Sequence, residues 1–337
     1  MANKQYISII RLFTHCGIAM ANDFNLARTK KHLLAEFGIA QNGFIEIDGY
    51  TYTRQDVFEE LEHPNFRERL QFHKEIWNAP PLLNLLEDNT IDFLTIRDGF
   101  RSFWNNSEFD VFISPYFAGP FNYVSRVLLT DLRLPEMGEL LTFEDFLQAA
   151  DREEAFRSLR IFLDESLRIL RNTTVENYKI MRPKISHWIE MEWYGFFNNL
   201  PHEFYDIKHD LIVHLVNLGV GIQKKYRSDC RRMSDQLVSL QEMPESIRQT
   251  IVSNHSAYHG SKSTSFRGYF WVGWLIFIVV RAVASGGCGD TGNDYQFQKS
   301  DFSKYEVDSL VRILQDSTGH TKSDTATLRI FPMNPLR

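Results

Sequence analysis

The chain has 337 residues, of which 43% are hydrophobic and 24% are charged, fractions that are typical of a folded globular protein and exclude disordered and low-complexity classes. The net charge of −6 at pH 7 argues against a dedicated nucleic-acid binder, because phosphate binding requires a concentrated lysine and arginine surface. We therefore expect no nucleic-acid partner. The three cysteines, Cys16, Cys230 and Cys288, are scattered without a CxxC pair, which gives no support to a disulfide framework or a zinc ribbon.

The N-terminal part of the sequence predicts helices around one β-hairpin. Apolar residues recur at helical spacing over residues 6–16, and a second helix is predicted over residues 26–37. The period changes at residues 44–53, where the β-prone runs FIEI and YTYT flank Asp48-Gly49, a dipeptide that suits a type I′ turn. The predicted fold class is therefore mainly α, a multi-helix domain with a small β-hairpin at about residues 44–53.

The stretch after the hairpin mixes clear and ambiguous signals. Thr53 is predicted to cap a helix through Leu61, and the next helix runs towards Trp77 and ends at Pro80-Pro81. Residues 91–96 and 110–114 fit either strands or helix fragments, since short apolar runs do not distinguish the two.

From residue 120 onward the pattern favours helices. Residues 153–171 combine an apolar face with an arginine face, for which local ion pairs are the favoured interpretation. Further helices are predicted over residues 175–197 with a break at Pro183, over residues 203–241 with weak points at Gly219 and Gly221, and over residues 245–258. We expect one helical domain over residues 1–258, with a candidate sub-boundary near residues 115–140.

The strongest organisational feature is an apolar segment near the C-terminus. Residues 268–280 read GYFWVGWLIFIVV, and the run continues to residue 288 with Arg281 as its single charge. About 20 apolar residues cross a hydrocarbon layer of about 30 Å, and Tyr269, Trp271 and Trp274 lie at one end, where aromatic rings prefer lipid headgroups. The sequence predicts a linker at 259–267, a transmembrane helix at 268–288 and a short C-terminal tail at 289–337.

Arg281 argues against this interpretation, because a charge at the bilayer centre costs about 2.5–3.5 kcal/mol. Its position towards the end of the segment lets the side chain reach the interface. The alternative is a soluble helical protein with residues 269–280 buried in its core, since the uncharged run of 13 residues also fits a core helix. Basic residues precede the segment and aspartates follow it, so the positive-inside rule predicts a single-pass membrane protein with a cytoplasmic N-terminal domain.

The densest group of titratable side chains lies between residues 202 and 214. On a helix these residues share one stripe with histidines and carboxylates, which are ligands for zinc, manganese or iron. We name them the 202–214 stripe: His202, Asp206, His209, Asp210 and His214. No HExxH motif is present, so a polar helix face is the favoured interpretation, and a metal-dependent hydrolase with a divalent metal cofactor is the alternative.

A basic cluster follows the stripe and is diluted in the sequence by Asp229. It consists of Lys224, Lys225, Arg227, Arg231 and Arg232. Each such side chain near an anionic membrane surface contributes about 1 kcal/mol of attraction. A solvated helix face is the favoured interpretation, and contact with anionic headgroups is the alternative.

The sequence contains no GxSxG or Walker-type motif, so a non-enzymatic protein is the favoured interpretation. The hypothesis is a membrane-anchored interaction or scaffold protein, or a regulatory or effector component. Its expected partners are membrane lipid and a protein of unknown identity, and no cofactor is predicted.

Overall fold

The computed structural model describes residues 5–19, 24–40, 42–103 and 105–260. These residues are mainly helical with a small two-stranded antiparallel sheet, which confirms that part of the predicted fold class. None of the helices among them combines the length and apolar character needed to cross a membrane. The predicted transmembrane helix at 268–288 and the tail at 289–337 lie outside the described residues.

The elements follow one another through the chain with short connections. The strands are β1 (Phe44–Ile47) and β2 (Tyr50–Thr53). The helices are α1 (Ile9–His15), α2 (Leu26–Ile39), α3 (Arg54–Leu61), α4 (Phe66–Trp77), α5 (Pro80–Asp88), α6 (Ile96–Phe100), α7 (Ser107–Thr130), α8 (Leu134–Leu141), α9 (Arg152–Ala155), α10 (Arg157–Arg171), α11 (Tyr178–Met181), α12 (His187–Glu190), α13 (Tyr194–Asn198), α14 (Tyr205–Ile222), α15 (Arg227–Leu237) and α16 (Glu245–His259). Short 3₁₀ turns cover Arg101–Phe103, Glu144–Phe146, Arg182–Ile185 and His202–Phe204.

The hairpin forms as its turn chemistry predicts. Strands β1 and β2 are antiparallel, with Phe44 opposite Thr53. Asp48 and Gly49 have φ angles of 53° and 85°, the positive values that a type I′ turn requires. Thr53 then caps α3, because its hydroxyl oxygen accepts the backbone N–H of Asp56 at 3.2 Å.

Two predicted features between the hairpin and α7 are resolved by the structure. Pro80 follows the end of α4 and is also the first residue of α5. Proline is tolerated at that position because the first N–H groups of a helix have no intrahelical acceptor. The ambiguous run at residues 110–114 is helical and belongs to α7, which continues through Pro115 and Pro120. Helix α7 is buried along most of its length, so its sequence lacks a clear amphipathic period.

The predicted amphipathic segment at 153–171 is confirmed as α9 and α10, with a break at Phe156. Leu159, Leu163 and Leu170 are buried. The arginines of the opposite face pair with carboxylates: Arg157 with Glu154, Arg160 with Glu203, Arg168 with Glu165 and Arg171 with Asp210.

The predicted helix over residues 203–241 is divided differently from the expectation. Its break lies at residues 223–226, between α14 and α15, whereas Gly219 and Gly221 both lie inside α14. A Cβ atom on Gly221 would lie 2.8 Å from the side chain of Val175, and one on Gly219 would lie 3.1 Å from the hydroxyl of Tyr258. The two glycines permit close packing and do not end the helix.

The buried apolar side chains form two clusters whose boundary crosses α4. Phe66 and Leu70 belong to the smaller cluster, with α1–α3 and the hairpin, and Phe72 and Ile76 belong to the larger cluster, with α5–α16. Residues 115–140, the candidate sub-boundary, lie in α7 and α8 and contribute to the larger cluster.

A buried polar network joins the two clusters. Glu60, only 4% exposed, accepts hydrogen bonds from Nε and Nη2 of Arg69, both at 2.6 Å. The Nε2 atom of His73 lies 3.2 Å from the same carboxylate, and the hydroxyl of Tyr116 donates to it at 3.3 Å. The Tyr6 hydroxyl lies 2.9 Å from Nδ1 of His73. The network thus connects four segments of the chain: the residues before α1, α3, α4 and α7.

The protonation states in this network follow from burial and pairing. Burial opposes the charge on Glu60, but hydrogen bonds from His73 and Arg69 favour the anion more strongly, so the pKa of Glu60 is lowered. Burial also lowers the pKa of His73, despite the opposing effect of Glu60. A neutral His73 accepts the Tyr6 hydroxyl at Nδ1 and donates from Nε2 to Glu60.

We expect Glu60→Gln to lower the free energy of unfolding by about 3 kcal/mol at pH 7, because largely buried Arg69 loses the anion that balances its charge. Urea unfolding followed by tryptophan fluorescence measures the change. The control is Glu62→Gln, an exposed carboxylate just beyond the same helix, which should change the value by less than about 0.5 kcal/mol.

The pH dependence tests whether the ionised form of Glu60 is responsible. Its folded pKa is lowered, so its contribution is fully present above the unfolded pKa of about 4.3 and is lost as the pH falls towards the folded pKa. The difference between wild type and Glu60→Gln should therefore be smaller at pH 3 than at pH 7. A difference that stays constant or grows on acidification would contradict the assignment.

Candidate functional site

The basic cluster lies on the surface where α14 passes into α15. Lys224 and Lys225 are in the connection, Arg227 begins α15, and Arg231 and Arg232 follow one turn later. All five side chains are exposed. We call this surface the basic face.

Asp229, which interrupts the cluster in the sequence, does not interrupt the basic face. It is 4% exposed and turned inward, where it accepts hydrogen bonds from the Tyr178 hydroxyl and from Nε of Arg182, each at 2.8 Å. Burial opposes its charge, but Arg182 and Tyr178 stabilise the anion and lower the pKa of Asp229. The outward surface is therefore more uniformly positive than the sequence indicates.

Two arginines of the basic face hold the C-terminus of α16. Nε of Arg231 donates to the carbonyl of Tyr258 at 2.8 Å, and Arg227 donates to the carbonyls of Tyr258 and Ala257, both at 3.1 Å. Carbonyls in the last turn of a helix lack intrahelical partners and carry its negative dipole end, so arginines stabilise them. Gly260 follows with a φ of 69° as a left-handed cap. The C-terminal end of α16 is thus held beside the basic face.

The 202–214 stripe is distributed over a turn and a helix. His202 lies in the 3₁₀ turn before α14, Asp206 lies in the first turn of α14, and both are exposed. Asp210 accepts a hydrogen bond from Arg171 at 2.8 Å.

The other two members of the stripe do not complete a set of three ligands with these carboxylates. Nδ1 of His209 lies 3.9 Å from Oδ1 of Asp210. His214 is half-buried, and burial lowers its pKa. No three stripe residues place ligand atoms within 4.8 Å of one another in the described part of the chain.

A different group does converge, at the junction of α15 and α16. Among the described residues, Asp235, His255 and His259 form the one set of three ligand-type atoms that all lie within 4.8 Å of one another. Oδ1 of Asp235 lies 3.0 Å from Nε2 of His255 and 2.9 Å from Nε2 of His259. The sequence signal for this group is the spacing of the two histidines by four residues on a predicted helix, whereas Asp235 is recognisable only once α15 is known to pack against α16.

A cleft of about 400 Å³ lies beside the N-terminal end of α14. Its walls include His202 from the stripe and Lys208, whose side chain is 6% exposed and whose pKa is lowered by burial, with Glu242 opposing that shift. No sequence pattern indicates Lys208, because burial of a single lysine on a helix depends on the neighbours that cover it.

The predicted membrane-anchor residues, Tyr269, Trp271, Trp274 and Arg281, lie outside the described residues. No protein-family model matches this chain, and searches of curated proteins and of solved structures give no match. Functional inference therefore depends on the chain's own residues.

We expect Arg231→Gln to speed amide hydrogen exchange in the last turn of α16 about tenfold, because a charge-assisted hydrogen bond of about 1.5 kcal/mol is lost at its C-terminus. Exchange measured by mass spectrometry on peptides covering residues 252–260 tests this. Arg232→Gln is the matched control, since Arg232 contacts Glu190 at 3.9 Å and not α16. Equal exchange in the two variants would contradict the capping role.

Proposed function

We propose that this chain is a membrane-anchored helical interaction or scaffold protein whose domain, residues 1–258, lies on the cytoplasmic side. A single helix at residues 268–288 tethers it, and the basic face lies towards the anionic lipid of the same leaflet. The observation that carries the proposal is the contact of Arg227 and Arg231 with the end of α16, because that helix directly precedes the predicted linker and anchor in the sequence.

The connection between the domain and the predicted anchor is short. Seven residues, 261–267, separate Gly260 from the start of the apolar segment. Even a fully extended chain of this length spans only about 25 Å. The end of α16 therefore stays within about that distance of the membrane surface, and the basic face stays with it.

Three of the five cations of the basic face do not contact α16, which supports a role for them in lipid contact. Arg227 and Arg231 hold the end of α16, whereas Lys224, Lys225 and Arg232 contribute charge without serving that helix end. Attraction to anionic lipid decays within a Debye length of about 8–10 Å, so cations contribute only when they are held close to the surface. A connection of at most about 25 Å keeps the basic face within about three Debye lengths of the membrane, so its cations can reach the surface where the attraction acts.

The metal-dependent hydrolase alternative has weaker support. It requires the 202–214 stripe to gather around one ion, and Asp210 instead pairs with Arg171. No further observation among the described residues favours this enzyme, so we prefer the non-catalytic proposal.

Carbonate extraction of cells expressing the full-length protein tests the anchor. We expect the wild type to remain in the membrane pellet, and Ile276→Asp combined with Ile278→Asp to release the protein, since each central charge costs about 2.5–3.5 kcal/mol of insertion. Ser263→Asp combined with Ser265→Asp, outside the apolar segment, should stay in the pellet. Wild-type protein in the supernatant would contradict the proposal and favour burial of residues 269–280 in a soluble core.

A further inference from the structure

The C-terminal half of α16 carries two histidines on one face. His255 and His259 are four residues apart, so successive helical turns place them side by side. Their ring centroids are 4.3 Å apart and their planes are inclined by only 32°. This is the helical spacing at which two imidazoles bind one zinc ion.

Asp235 of α15 supplies a third donor from a separate helix. Its Oδ1 atom lies at 2.9–3.0 Å from both Nε2 atoms. Bonds of 2.0–2.2 Å to a tetrahedral zinc ion place ligand atoms about 3.3 Å apart. The two separations from Asp235 are within about half an ångström of that value, and all three ligand atoms lie within 4.8 Å of one another, so side-chain rotations are sufficient to admit an ion.

Arg231 does not form an ion pair with the carboxylate of Asp235. Arg231 lies one turn before Asp235 on α15, but its Nε donates to the carbonyl of Tyr258. Asp235, His255 and His259 are between 31% and 49% exposed, so an ion from solution can reach them.

Hydrogen bonding alone is a weaker account of the arrangement. Exposed histidine–aspartate contacts contribute about 0–1 kcal/mol. A divalent ion instead uses the lone pairs of two neutral imidazoles together with the carboxylate charge.

We propose that Asp235, His255 and His259 bind a divalent transition-metal ion of the zinc class. Two imidazoles and one carboxylate suit zinc and its neighbours in the first transition series rather than calcium or magnesium. Three protein ligands leave at least one coordination position for water or an added donor. The ion cross-links α15 to α16 at the end of the domain, and this inference does not depend on the membrane proposal.

Titration of the full-length protein with metal tests the site. Purified protein in detergent is stripped with a chelator, dialysed and titrated with Zn²⁺ by calorimetry and with Co²⁺ by visible absorption. We expect one equivalent to bind and to raise the Tm of the wild type, since a ligand that binds only the folded state stabilises it. The absence of both binding and a Tm increase overturns the proposal.

Substitution of the proposed ligands identifies the residues that bind the ion. Loss of a metal ligand should weaken binding at least about 100-fold, because even outer partners of ligands are worth 10–100-fold. We therefore expect this loss in His259→Ala and in Asp235→Asn, both at partly exposed positions. His32→Ala is the matched control, since His32 is an exposed helical histidine that also contacts a carboxylate, Glu36 at 3.3 Å.

His209→Ala separates this site from the 202–214 stripe. Unchanged affinity in His209→Ala, with loss in His259→Ala, supports the site at α15 and α16. Binding that survives His259→Ala, or that is lost in His209→Ala, overturns it. Circular dichroism of each metal-free variant verifies that its fold is retained, and the wild-type Tm measurement tests the proposal without any substitution.

Discussion

A buried carboxylate, Glu60, is the constraint on which the arrangement of the two apolar clusters depends. An ionised group shielded from water costs several kcal/mol unless it is paired and hydrogen-bonded. Its partners, Arg69, His73 and Tyr116, come from α4 and α7, and Tyr6 extends the network towards the N-terminus. A displacement of the smaller cluster against the larger one would leave at least one of these groups unpaired. The network therefore favours one relative placement of the clusters.

The same principle acts at the opposite end of the described chain. Asp229 is buried with Tyr178 and Arg182, and this removes the one acidic side chain from within the basic cluster. On the same helix, Arg227 and Arg231 bind the end of α16. An inward aspartate and two capping arginines together produce an exposed cationic surface next to the C-terminal end of α16. We propose that this surface faces anionic lipid.

Local signals were sufficient for part of this architecture. The hairpin was predictable because Asp48-Gly49 determines its turn, and the buried leucines of α10 were predictable because one face of that helix meets solvent. Helix α7 was ambiguous because it is apolar on most sides. Gly219 and Gly221 were misjudged as weak points because their close contacts, with Tyr258 and Val175, come from distant segments.

In the candidate sites too, contacts between distant segments were not predictable from the sequence. The five cations of the basic face were identifiable from their spacing in the sequence, but the burial of Asp229 was not. The residues of the 202–214 stripe have the spacing of one helix face, but Asp210 forms an ion pair with Arg171 of α10. Asp235 and His259 are 24 positions apart in the sequence, so only the packing of α15 on α16 brings them together. Sequence pattern predicts which residues share a helix face, whereas convergence between helices requires the tertiary structure.

The central claim, that the basic face lies against anionic lipid, is tested most directly by hydrogen exchange of the full-length protein in bilayer nanodiscs. Exchange at residues 223–232 should be slower with about 30% anionic lipid than with zwitterionic lipid alone, because each cation near the surface gains about 1 kcal/mol. Two triple charge reversals are compared: Lys224→Glu, Lys225→Glu and Arg232→Glu on the basic face, and Arg28→Glu, Lys31→Glu and Arg67→Glu in α2 and α4. The first should abolish the difference between the lipids, and the second should preserve it. Equal exchange of the wild type in both lipids, or equal effects of the two triple variants, would contradict the claim.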